Sequence, residues 1–145
     1  MLTKRTLQSA LLIGLVVFVD CTAYQAKGLT GGFSQTQLSE YVYEVRFQGN
    51  GYTSADRVGQ FLLRRAAELT LETGHRYFVV GDQRGQSPTW GTTFRDNSAT
   101  VRILSSKNEA PNAADAVIVI HSTDAEAGGR LSDAARQQLT KYVDQ

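Results

Sequence analysis

The chain predicts an α+β fold: about four strands in a mixed or largely antiparallel sheet, with two helices packed on one face, in the order β-α-β-β-β-α. Three patterns in its 145 residues carry this expectation. Residues 41–48, YVYEVRFQ, alternate with period two. Residues 54–73 place apolar side chains at helical spacing. Short apolar runs then follow at 77–80, 100–105 and 116–121, before a last amphipathic stretch.

In residues 41–48, Tyr41, Tyr43, Val45 and Phe47 share one face, and Glu44, Arg46 and Gln48 share the other with Val42. That is the pattern of a half-buried strand, and Gly49-Asn50-Gly51 ends it in a turn. Ser54 is placed to cap the next helix, with Asp56 in its first turn. Val58, Phe61, Leu62, Ala66 and Leu69 form the buried stripe, widened by Leu63, Ala67 and Leu71, and Gly74 supplies the stop. YFVV at 77–80 reads as a buried strand, and residues 100–105 as another with Val101 and Ile103 on one face. AVIVIH at 116–121, the most continuous apolar run after residue 20, reads as a central strand. A final helix starts near Leu131 or after Ser132, with Leu131, Ala135, Leu139 and Tyr142 inward. The connections expected between these elements are a flexible stretch over 81–98 and a turn over 106–112.

The N-terminus has a different character. Lys4 and Arg5 precede the apolar run ALLIGLVVFV at 10–19, which is too short to span a bilayer and has the layout of a secretory signal peptide. Cys21, the only cysteine, stands just behind it. A free thiol in an oxidising compartment is a liability unless used, so lipidation is expected at Cys21. Cleavage before it would leave a mature chain with three acyl chains, palmitate among them, and a far firmer grip than one myristoyl gives. Asp20 departs from the small residue such a cleavage site prefers. Two alternatives are ordinary secretion with cleavage after Ala23, and an uncut membrane-inserted anchor. Thr22, rather than Asp, follows Cys21, which in lipoproteins of two-membrane bacteria favours the outer membrane. The expected organisation is therefore a signal peptide over 1–20, a lipidated cysteine with a flexible tether over 21–40, and one domain over 41–145. The tether leaves room for a short strand or turn near Phe33. Its random-coil span is on the order of 25 Å.

Charge and composition narrow the function. Setting aside Lys4, Arg5 and Asp20 leaves 13 basic and 13 acidic side chains. Such balance argues against nucleic acid as a partner. His75 and His121 lack metal-ligand spacing, so both are expected to be structural, with no metal and no cofactor. There is no Gly-x-Ser-x-Gly elbow and no phosphate loop, and Cys21 lies ahead of a tether, away from any base. No catalytic residue is expected. Arg64, Arg65, Glu68 and Glu72 form helical i,i+3 and i,i+4 pairs that read as a solvated face. Residues 124–130, DAEAGGR, read as a loop without the fixed spacing of a calcium site. Trp90 and Phe94, with Arg84 and Arg95 nearby, are the candidate partner contact, since exposed aromatics beside arginines often anchor partners. The alternative is that both rings fold back over a sheet edge or the core.

The segments TAYQ, GGFSQTQLSE, VRFQGNGYTS and LLRRAAELTLETGHRYFVV together resemble a family of small uncharacterised proteobacterial lipoproteins. The match covers residues 24–80, with Gly31, Gly32, Gly49, Asn50, Gly51, Tyr52, Arg65, Ala66, Ala67, Glu68, Tyr77 and Phe78 on its signature. It implies lipidation of Cys21 and no established enzyme activity. The expected function is that of a lipid-anchored envelope protein, facing the periplasm at the outer membrane and acting through contacts with an envelope protein. The alternative is a periplasmic binding module for a small ligand or cell-wall component.

Overall fold

The computed structural model describes residues 24–29, 31–50, 52–85, 94–128 and 131–144, with 82–85, 94–96, 126 and 127 described through their backbone. The class is α+β, as expected. Five strands, β1 (Gly32–Ser39), β2 (Val42–Asn50), β3 (Tyr77–Gly85), β4 (Phe94–Leu104) and β5 (Ala114–Asp115), form one sheet in the order β1-β2-β4-β3-β5. Every neighbouring pair is antiparallel. The helices are α1 (Ala55–Glu72), α2 (Ala116–Ala127) and α3 (Asp133–Val143).

Helix α1 forms as its sequence dictates. The Ser54 side chain accepts from the Arg57 N–H, and Asp56 occupies the first turn. The helix lies across β2, β4 and β3, while α2 and α3 pack chiefly on α1 itself. It is therefore buried on nearly every side, with Val58, Phe61, Leu62, Ala66, Ala67, Leu69 and Leu71 in the core. Val45, Phe47, Phe78 and Val101 meet it from the sheet, and Ala116, Val117, Val119 and Ile120 from α2.

Four expectations change. Residues 116–121 are the first half of a helix, not a central strand; the strand stops at Asp115, which pairs with Tyr77. Asp115 then accepts from the Val117 N–H as an N-cap, and Gly128 ends the helix in a left-handed conformation at φ 54°. A short apolar run has no periodicity that separates a buried strand from a buried helix, and here the caps decide. Ala116, Val117, Val119, Ile120 and Thr123 are buried, whereas Ile118 is 66 % exposed and His121 is exposed. The layer thus holds three helices rather than two.

The tether expected over 21–40 belongs to the fold from Tyr24 onward. Tyr24 is buried in the core, Phe33 N–H donates to Gln25 O and Lys27 N–H donates to Phe33 O, and β1 pairs with β2 from Gly32↔Gln48 to Ser39↔Val42. Gly32 has φ +127°, and a Cβ there would lie 2.5 Å from Gln25 O, so the segment's return demands glycine. The stretch over 81–98 is shorter than expected, because β3 runs to Gly85 and β4 starts at Phe94. Lastly, residues 124–127 of the expected loop complete α2.

The exposure of Ile118 separates helix from strand by experiment. Ile118→Lys should shift unfolding stability by no more than about 0.5 kcal/mol, while Ile120→Lys, which buries an unpaired charge, should cost more than about 4 kcal/mol. Urea denaturation checks both. Equal and severe losses would restore the central strand.

Candidate functional site

The charged residues in the second half of α1 build a cluster inside the protein. Arg64 is fully buried, and Glu68 is 3 % exposed. Arg64 Nε donates to Glu68 Oε1 at 3.1 Å and its Nη2 to Asp124 Oδ1 at 3.1 Å. Its Nη1 lies 3.4 Å from Thr123 Oγ1 and 3.5 Å from Ile120 O. One turn of α2 thus closes over the Arg64 guanidinium.

Arg65 points to the β1 side. Its Nε donates to Gln35 Oε1 at 2.7 Å, and Nη1 donates to Glu68 Oε2 at 2.9 Å. It also grips Glu72 through both Nη atoms, at 3.1 and 3.2 Å, and stacks 4.8 Å over the Phe33 ring. Glu72 Oε1 accepts in addition from Ser132 Oγ at 2.9 Å, tying α1 to the N-cap of α3. Burial works against the Arg65 charge, but the Glu72 and Glu68 carboxylates more than offset it and raise its pKa above the usual arginine value.

Tyr24 joins the cluster from outside α1. Its Oη donates to Glu68 Oε2 at 2.5 Å. Its ring stands 5.1 Å from Phe33 and 5.3 Å from Phe61, and Phe61 stands 5.0 Å from Phe47. Glu68 therefore accepts from Arg64, Arg65 and Tyr24 at once. Burial, then the charge and hydrogen bond of Glu68, push the Tyr24 pKa far above its ordinary value.

Beside the cluster lies a cavity of about 400 Å³. Tyr24, Gln25 and Ala26 line it from the N-terminal segment, Phe33 from β1, Arg65, Glu68 and Glu72 from α1, and Leu131 and Ser132 from the start of α3. Apolar rings and paired charges thus face one concave space, the usual character of a recognition site.

The solvated face expected for Arg64, Arg65, Glu68 and Glu72 is overturned. The helical pairing itself is present, as Arg64–Glu68 and Arg65–Glu68. Spacing fixes which side chains can meet, not which way they face, and α2, Tyr24 and β1 cover them. The remaining candidates fall elsewhere. His75 is half-buried after α1, with Nδ1 2.9 Å from Thr73 O and its ring 5.3 Å from Tyr41. The backbones of Arg84, Phe94 and Arg95 pair with Ser98, Asn50 and Gly49 respectively, and Trp90 lies outside the described residues, as does Cys21. Among the described residues, no group of three or more His, Cys, Asp and Glu is placed to hold a metal ion, and no helix is long and apolar enough to cross a membrane. No family model, curated protein or solved structure matches this chain.

The Tyr24 phenol makes the site measurable by pH. Its folded pKa lies above the unfolded value of about 10, so its contribution to stability is complete below pH 10 and is lost as pH rises past 10 toward the folded value. Between pH 8 and 11, wild type should lose about 1.4 kcal/mol more than Tyr24→Phe in urea denaturation. Parallel curves would show that this phenol ionises as freely in the fold as out of it.

Proposed function

We propose that this chain is a lipid-anchored recognition domain of the bacterial cell envelope, acylated at Cys21, set at the outer membrane facing the periplasm, and acting through contacts with an envelope protein rather than by catalysis. The cavity beside Glu68 is the observation that carries the recognition role. Its charged walls hold one another in place, so a partner meets a preformed surface and little ordering cost falls on binding. The paired guanidiniums and carboxylates serve as positioned donors and acceptors, and neither nucleophile nor general base is needed.

Acylation at Cys21 would have a geometric consequence. Cys21 stands three positions before Tyr24, whose ring is fixed among Phe33 and Phe61. Three residues reach at most about 11 Å. The anchor would therefore hold the Tyr24 end of the domain against the membrane, instead of lifting the whole domain off it on a long tether. The stretch from Arg84 to Arg95, with Trp90 and Phe94 between them in sequence, is the second contact proposed for the partner.

Intact-mass analysis of the mature protein, with photo-crosslinking in intact cells, tests both halves. The mature N-terminus should be Cys21 carrying three acyl chains, and Cys21→Ser should abolish the lipid. A photoreactive residue at Leu131 or Trp90 should capture one discrete protein partner, and one at exposed Ile118 should not. An unmodified chain starting at Tyr24 would sink the anchor, and silence at both Leu131 and Trp90 would sink the contact role.

A further inference from the structure

The two edges of the sheet are finished differently. At one end β5 is two residues long and leads at once into α2. At the other end β1 runs for eight residues, GFSQTQLS, without a charge or a proline. Natural edges are normally blunted by lysine, proline, bulges or extreme shortness, because an open edge pairs with any extended chain. The one irregularity in the pairing of β1 with β2 falls at its far end, between Gln37 and Ser39.

Which backbone groups remain open follows from the alternation of an antiparallel ladder. Phe33 turns its N–H and C=O away from β2, where Gln25 O and the Lys27 N–H meet them. Gln35 and Gln37, two and four residues on, turn theirs to the same side. Among the described residues, no backbone partner meets these groups. The segment 25–27 thus acts as a short added strand beside Phe33, and at the next two places along that edge no strand lies alongside among the described residues.

This edge adjoins the cavity. Phe33 belongs to both, and Gln35 accepts from Arg65, which forms the cavity wall. Of the charged side chains that line it, Arg65 is the cation and Glu68 and Glu72 are the carboxylates, while Arg64 reaches Glu68 from outside the lining. Glu72 is the carboxylate of the cavity wall that stays open, with its side chain 23 % exposed and Oε2 engaged by one donor only. A strand laid on the edge would send alternate side chains toward the helix layer, into a space walled by apolar rings and the partly exposed Glu72 carboxylate.

We propose that the edge of β1 and the adjoining cavity bind an extended peptide segment as a sixth strand, with a lysine or arginine side chain seated against Glu72. This rests on the recognition role above and specifies its ligand class. Main-chain pairing to Gln35 and Gln37 supplies affinity, and the pocket supplies selectivity, the division of labour found in strand-addition recognition.

Fluorescence anisotropy with labelled, end-capped peptides of alternating valine and threonine tests it. The central residue is lysine, glutamate or norleucine. The lysine peptide should bind at least about tenfold more tightly than the glutamate peptide. Glu72→Gln should bring that ratio below about threefold. Of two lysine peptides N-methylated at alternate sets of amides, one should bind like the parent and the other at least about tenfold more weakly, a comparison that needs no protein variant. Equal binding of lysine and glutamate peptides, indifference to both methylation patterns, or no saturable binding up to about 1 mM would each overturn the proposal. A dimer that Gln37→Pro dissociates would give the edge to a second copy, with the same result. A partner captured at Leu131 in cells, alongside failed peptide binding, would remove the strand mode and leave the recognition role standing.

Discussion

The carboxylate of Glu68 is the point on which the arrangement depends. Helix α1 carries two adjacent arginines into a layer where water does not reach, and a buried guanidinium without a partner is costly. Glu68 lies one turn on, at the i,i+4 position from Arg64 and i,i+3 from Arg65, and accepts from both. What remains of each guanidinium then dictates its surroundings. Arg64 requires Asp124 and the Ile120 carbonyl of α2, and Arg65 requires Gln35 of β1 and Glu72. Glu72 in turn holds Ser132 at the start of α3. One helix thereby specifies where two other helices and the edge strand must sit. Such ion clusters fix geometry more than they add stability, since the desolvation cost consumes most of the attraction.

Much of the fold was legible locally, and the misses share one cause. Ser54, Asp56 and Gly74 mark α1 because capping is a matter of neighbouring residues, and Ser132 marks α3 for the same reason. AVIVIH carries no such mark inside the run, and its cap, Asp115, sits among residues that read equally well as a strand. Taken as a strand, it leaves the outer face of α1 in water, and Arg64 and Glu68 become a solvated pair. Taken as a helix, it closes over that face and buries them. The misassigned element and the misassigned face are therefore one error, propagated through packing. Tyr24 was missed for a related reason. A single tyrosine among polar residues looks like tether, and its partner lies 44 positions away.

These packing relations shape what the domain can do. The cavity is bounded by four separate parts of the chain, yet each charged wall is fixed by another wall, so the site exists before any partner arrives. Tyr24 adds a mechanical link, because it joins the segment nearest Cys21 to the centre of the helix layer. The proposed anchor and the proposed recognition surface would then be parts of one rigid body, not a head on a loose string.

The central claim is that Tyr24 and Glu68 act as a unit that locks the N-terminal segment to the helices. A double-mutant cycle with Tyr24→Phe and Glu68→Gln, read by urea denaturation at neutral pH, measures that coupling directly. A buried hydrogen bond to a charged acceptor should give a coupling of about 1.5 kcal/mol or more. Additivity to within about 0.4 kcal/mol would mean that the two side chains stabilise the fold independently, and would contradict the account.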